Sequence, residues 1–245
     1  MLKSLKKQVI GISYLLSHPR QMKWIIIRET YYGDRKRSKQ KWVEWQKYDA
    51  QMHIAMMQTH RDVMSENVLN SARIKIFAEM IKQIGKDLDV LDVGCGDGVL
   101  TEPVWKMGNK VTSMELPEIA KLTQKCRVPA IIAGDAEQLA FSSGSFDVVM
   151  ASEMVEHLWQ PQSFFDEAQR VLKGDGFLIV ETPEGKEGLQ YDSHRHYFTV
   201  ERLMQMLRPK FTLLDLKRLQ ATGSAQTPTI ILLLRKTSNG KTNAV

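Results

Sequence analysis

Residues 90–100 read VLDVGCGDGVL. The apolar run Val90-Leu91-Asp92-Val93 breaks into three glycines, Gly94, Gly96 and Gly98, at every second position. A strand-length run that ends in glycines and then resumes a helical pattern marks a strand–loop–helix turn, where the backbone can approach a ligand closely. Such loops usually cradle phosphates, yet Asp92 and Asp97 place acid where phosphate would sit. A P-loop needs Lys-Ser/Thr after its last glycine, and Val99-Leu100 stand there instead. A dinucleotide fingerprint needs G-x-G-x-x-G, and here the third glycine falls one residue early. The ligand that fits carries positive charge and no phosphate.

Outward from this loop the chain alternates. DVLDVG, KVTSMEL, AIIAG, SFDVVMASE and GFLIVETP read as strands, with helical segments near 99–107, 117–125 and 161–172 between them. That alternation predicts a Rossmann-like α/β fold: a mostly parallel sheet with helices on both faces. TVERLMQMLRP reads as a further helix with Thr199 as N-cap. FTLLDLKRLQ and TIILLLRK come after it as two strands joined by ATGSAQTP, an antiparallel, hairpin-like edge. Seven strands result, the last antiparallel. The expected division is a helical N-terminal extension over 1–84, the α/β domain over 85–236 and a frayed tail over 237–245.

Composition is that of a globular protein, with two cysteines, Cys95 and Cys126, and no disulfide framework. The net charge of +6 is uneven: residues 1–41 carry eleven Lys/Arg and two acids, so the remainder is net acidic. Leu2, Leu5, Val9, Ile12 and Leu16 share a helical face opposite Lys3, Lys6 and Lys7, and Trp24-Ile25-Ile26-Ile27 come next. A solvated face, a membrane-surface helix and an RNA-binding arm all fit; the apolar content favours the membrane, and the acidic domain disfavours nucleic acid. No apolar run is long enough to span a bilayer, and no cleavage site succeeds the first apolar stretch. The expected location is cytoplasmic, with peripheral contact at the inner membrane surface through residues 1–41 as an open reading. Trp42, Trp45, Tyr48, Met52, Met56 and Met57 form an apolar stripe, read first as packing and second as an acceptor wall.

D-x-G-x-G-x-G after a strand resembles motif I of the class I methyltransferases that use S-adenosylmethionine (SAM), whose sulfonium and ammonium suit acidic neighbours. The resemblance extends in order over about residues 85–236. Glu115 ends the second strand, where the family places a carboxylate that grips ribose hydroxyls. Asp135, with Ala136 beside it, comes after the third strand, where the family places an acid near the adenine amino group. LKGDGFLIVETP resembles the family's LKPGG turn and fifth strand. The resemblance implies a cofactor shell of Asp92, Gly94, Cys95, Gly96, Gly98, Glu115, Leu116, Asp135, Ala136 and Ser152.

Methyl transfer from a sulfonium needs alignment first and a base only where the acceptor loses a proton. Two stretches could supply one. SEMVEHL holds Glu153, Glu156 and His157, which share a face if the segment is helical. It resembles the E-x-x-E-H of the quinone-biosynthesis O-methyltransferases, in which metal dependence is known; the favoured reading here is a structural hydrogen-bonded pair and no divalent metal. YDSHRHYFT resembles the H-x-R-x-F-[ST] stretch of the same group, with His194 in the family's His position and His196 where Arg is usual. His194 and His157 are therefore the candidate bases. The expected function is methyl transfer to a small-molecule or lipid-like acceptor, at oxygen. The rivals are an RNA or protein methyltransferase and a methyltransferase-like binding subunit that has lost turnover. ASEM after the fourth strand lacks the N-P-P-Y pattern of base methylation.

Overall fold

A computed structural model of the chain describes residues 38–59, 68–123, 131–186, 193–208, 210–220 and 228–237. Among the described residues two helices come first, α1 (Lys39–Thr59) and α2 (Val68–Ile84). The chain continues through β1 (Asp89–Val93), α3 (Thr101–Lys106), β2 (Lys110–Glu115), α4 (Pro117–Thr123), β3 (Ile131–Ala133) and β4 (Phe146–Ser152). A 3-10 turn at Val155–His157 leads to α5 (Pro161–Val171), β5 (Leu172–Pro183), α6 (Val200–Leu207), β6 (Phe211–Leu219) and β7 (Thr229–Lys236). The basic stretch before residue 38, the Cys126 segment and the tail beyond residue 237 lie outside the described residues.

The seven strands form one sheet in the order β3-β2-β1-β4-β5-β7-β6. β1 to β5 pair in parallel, and β7 runs antiparallel to both β5 and β6. The two last strands do pair as expected, but β7 is not at the edge. TIILLLRK is apolar on both faces, with Thr229 to Leu234 buried, so it must lie inside the sheet. β6 carries Asp215, Lys217 and Arg218 and is only intermittently covered, which suits an edge.

Period-two alternation sends each strand's side chains to two cores. Leu91, Val93, Val149, Ala151, Leu178 and Val180 meet Phe164, Phe165 and Val171 of α5 and Leu203 and Leu207 of α6. Val90, Val148, Met150, Ile179, Ile231 and Leu233 meet Phe77, Met80 and Ile81 of α2 and Val104 of α3. Phe164 and Phe165 are fully buried, which stabilises by about 2–3 kcal/mol each. Thr199 caps α6 as expected, accepting from Arg202 N at 3.2 Å.

Among the described residues, those from Lys47 onward form one compact unit and those before it another. Phe77, Met80 and Ile81 of helix α2 are core residues packed with the sheet. Trp42 and Trp45 of the apolar stripe are buried.

Candidate active site

The carboxyl ends of the parallel strands become polar on one face. Along β1, β4 and β5 the series facing α2 runs Val90 then Asp92, Met150 then Ser152, and Ile179 then Glu181. Ser152 and Glu181 are register partners, so these polar groups are neighbours where the strands end. Open α/β sheets place their ligands at this end.

The glycine loop begins there. Gly94, Gly96 and Gly98 have φ of 75°, 54° and 80°, a region that residues with Cβ rarely occupy. Gly94 N and Cys95 N both donate to Met114 O, at 2.9 and 3.2 Å, which ties the loop to the end of β2. A Cβ on Gly94 would lie 2.6 Å from Met154 Cγ, whereas one on Gly96 would meet nothing within 4 Å. The loop is thus tight beneath and open above, a cradle for a ligand. Asp97 Oδ1 accepts from Val99 N at 3.2 Å. Burial pushes the Cys95 thiol up and keeps it protonated.

Glu115 closes the other side. Its Oε2 accepts from Gly96 N at 3.0 Å and its Oε1 from Leu116 N at 2.8 Å. Burial raises its pKa, and these two N–H groups oppose the rise. Asp92 is buried beneath, bonded to the Thr101 hydroxyl of α3. Burial lifts it to about 7; the Thr101 bond opposes this and the Glu115 charge adds to it.

Asp135 is exposed, and its Oδ1 accepts from Glu137 N at 2.8 Å, which shapes the loop after β3 together with Ala136. This loop is stitched to α5. Glu137 Oε1 accepts from Trp159 N and Gln160 N, at 2.6 and 3.1 Å, and so caps a helix whose own N-cap residue makes no side-chain bond. Arg170 donates to the Leu139 and Phe141 carbonyls at 2.8 and 2.7 Å.

After β4 the chain does not enter an α-helix. Glu153 takes φ of 50°, and Val155–His157 make one 3-10 turn. The shared helical face of Glu153, Glu156 and His157 is therefore not formed. Instead, Glu156, His157 and His194 converge, with one potential ligand atom from each within 4.8 Å of the others. These groups also make protein contacts. Thr182 Oγ1 donates to Glu156 Oε2 at 3.0 Å, and His157 Nδ1 lies 2.7 Å from Ser193 O. The His157 and His194 rings meet edge to face at 4.8 Å. A carbonyl only accepts, so Nδ1 of His157 carries the proton; Nε2 lies 3.8 Å from Glu156 Oε1. Burial lowers the His157 pKa, against the pull of the Ser193 carbonyl. Burial also lifts Glu156 to about 7. The Arg195 and His196 N–H groups donate to Glu156 O at 2.8 and 3.1 Å, which seats the 193–198 loop on the turn. His196 Nε2 donates to Leu158 O at 3.0 Å, and Arg195 lies 3.7 Å over the Trp159 ring.

Arg73 of α2 belongs to no motif in the sequence, yet it is part of this cleft. Its Nε lies 2.5 Å from Glu181 Oε1, and its terminal nitrogen reaches Glu153 Oε1 at 3.4 Å and Ser152 Oγ at 3.2 Å. Ser152 also bonds Glu181, so its hydroxyl is engaged inside this ion cluster. Burial works against the Arg73 charge, yet Glu181 and Glu153 outweigh it and hold its pKa above the ordinary value. The one signal in sequence was Glu181 itself, a carboxylate continuing an apolar strand.

The sheet and the polar cleft at its carboxyl end define a class, the Rossmann-like α/β domains that take a ligand where their parallel strands end. Within it, residues 91–180 match the family described as "Methyltransferase domain", so this part of the chain is a methyltransferase domain. A ubiquinone biosynthesis O-methyltransferase of Xanthomonas oryzae pv. oryzae is 33% identical over 123 residues, 47% of this chain and 51% of that one. A probable S-adenosylmethionine-dependent methyltransferase of Mycobacterium tuberculosis is 33% identical over 97 residues, 39% of this chain and 35% of that one. The match thus spans about a third to a half of each of these curated relatives. Among solved structures, the N-methyltransferase NodS of Bradyrhizobium japonicum with S-adenosylhomocysteine (SAH) superposes with a TM-score of 0.61 at 17% identity, covering 70% of this chain and 89% of that one. The 1,6-didemethyltoxoflavin-N1-methyltransferase of Burkholderia thailandensis, also with SAH, gives 0.60 at 23% identity, covering 77% and 87%. At these identities the two structures show the fold.

Proposed function

We propose that this chain transfers a methyl group from SAM to an oxygen of a small or lipid-like acceptor. The observation that carries the cofactor part is the Glu115 carboxylate, held by Gly96 N and Leu116 N at the mouth of a left-handed glycine loop. SAM supplies a methyl group on a sulfonium, already activated toward displacement. Glu115 would hold the ribose hydroxyls, and the 94–98 backbone would lie against the amino-acid end above Asp92. Asp135 and Ala136 N–H would hold the adenine. His157 is favoured as the base: burial lowers its pKa, and Glu156 and His194 lie beside it. His194 shapes the His157 environment through the ring contact. No metal is needed for this reading.

The oxygen acceptor is supported by the O-methyltransferase name among the relatives and by a base poised to take a hydroxyl proton. Contact of residues 1–41 with a membrane surface is proposed on the sequence, since residues 1–37 lie outside the described residues. No described helix is long and apolar enough to cross a membrane. Calorimetric titration with SAM and SAH tests the site: micromolar binding by the wild type, lost in Glu115→Ala, is expected. A wild type that binds neither ligand overturns the reading. A screen of phenols, quinols and lipid hydroxyls with labelled SAM then tests the acceptor class, and pelleting with anionic vesicles tests residues 1–41.

A further inference from the structure

We propose that Arg73 is a positioning residue of the cofactor cleft: from α2 it clamps Glu153 and Glu181 and thereby holds the left-handed turn after β4 on which Met154 and His157 are set. This role rests on the cofactor site proposed above, and Arg73 serves it by holding Glu153 and Glu181 rather than by touching the ligand.

Charge comes first. Glu153, Glu156 and Glu181 gather at the ends of β4 and β5, and the side chain of Glu181 is wholly buried. Like carboxylates at this range repel unless a cation lies among them. Arg73 supplies it, with Nε on Glu181 and a terminal nitrogen on Glu153 and Ser152. A planar guanidinium can serve three partners at fixed angles, which a lysine cannot.

The backbone comes next. Glu153 has φ of 50°, a conformation in which a glutamate is strained unless its surroundings hold it. Two contacts do so: its N–H donates to Glu181 O at 3.1 Å, and its side chain pairs with Arg73. The second is the clamp itself; the first ends on a backbone carbonyl that β4 and β7 already hold in the sheet, and it steadies the bend only while Glu153 is kept beside Glu181. Immediately beyond Glu153 the chain lines the cleft. Met154 fills the space where a side chain on Gly94 would be, and His157 ends the turn. Without the clamp, Glu153 relaxes to an ordinary φ, Met154 leaves Gly94, and the cradle loses its floor. The helix before β1 is thus part of the site although it contributes no group to the ligand.

The experiment needs no acceptor. SAH affinity by calorimetry and thermal unfolding are measured for Arg73→Lys, Arg73→Met, Arg73→Met/Glu181→Gln and Arg73→Met/Glu153→Gly. Arg73→Met is expected to weaken SAH binding at least tenfold, and Arg73→Lys severalfold. Arg73→Met/Glu181→Gln removes the stranded charge, so it recovers unfolding temperature but not affinity. Arg73→Met/Glu153→Gly restores affinity to within about threefold of wild type, since glycine adopts this φ without a clamp. A folded Arg73→Met or Arg73→Met/Glu181→Gln protein that binds SAH within twofold of wild type overturns the proposal. So does an Arg73→Met/Glu153→Gly protein that binds no better than Arg73→Met. A wild type that fails to bind SAH overturns the cofactor reading instead, and is told apart by that.

Discussion

The two ends of the sheet treat charge in opposite ways. At the amino end, Lys173 of β5 sits between Asp89 of β1 and Asp147 of β4, at 3.0 and 2.8 Å, and all three are partly exposed. Asp147 is held below the usual carboxylate range because the Lys173 ammonium and the Asp89 N–H outweigh its partial burial. At the carboxyl end, Asp92, Glu115, Glu153 and Glu156 are each raised, with burial the largest cause. The first arrangement is ion pairing that water could almost replace. The second buries carboxyls at the strand ends with Arg73, among the described residues, as their one nearby cation, an arrangement that costs stability and suits a cationic ligand. Same strands, same residue types: burial and the count of cations decide which end binds.

That contrast can be broken from the acid end first. Gly94→Ala drives a Cβ to 2.6 Å from Met154 Cγ at φ of 75°, so SAH binding should fall below detection and stability by about 2–3 kcal/mol. Calorimetry and urea unfolding measure the two; retained micromolar affinity would mean the loop is not the ligand cradle.

Glu115→Gln keeps the shape but loses the charge and one acceptor. SAH affinity, read by the same calorimetry, should fall about fiftyfold, near 2.3 kcal/mol, with a small drop in unfolding temperature because one of the Gly96 and Leu116 N–H groups loses its acceptor.

Asp92→Asn sharpens the comparison through pH. The folded Asp92 pKa is raised to about 7, so the folded state holds a proton that the unfolded state gives up. Its contribution is full in acid, and is lost as pH rises from about 4 through about 7. Between pH 5 and 9 the wild type should lose on the order of 2 kcal/mol that the Asn variant keeps. Parallel unfolding curves for both proteins across that range would show that Asp92 carries no such linkage.

The smallest effect belongs to the amino end. Lys173→Met breaks two half-exposed ion pairs and should cost under about 1 kcal/mol in urea unfolding, less in high salt, with SAH affinity unchanged.

Much of this was legible in sequence. The order of the strands along the chain, the glycine loop, Glu115 at the end of β2 and the Thr199 cap all depend on local periodicity or on a few adjacent residues. The antiparallel last strand was legible too, and β7's place inside the sheet could have been read from its apolar run. The segment after β4 was less so: SEMVEHL has helical spacing, but the Glu181 carbonyl of β5 and the Arg73 side chain hold Glu153 in a left-handed bend that no local pattern announces.

The sequence by itself determined a doubly wound sheet with an acid-lined glycine loop, because alternation and glycine spacing act over a few residues. Tertiary structure alone decided that Arg73 of α2 meets Glu181 of β5, that Glu137 caps α5, and that His194 joins His157 and Glu156. Those pairings join residues far apart in the chain. They form because a buried carboxylate or helix end must find partners, and the packing of the whole sheet chooses which.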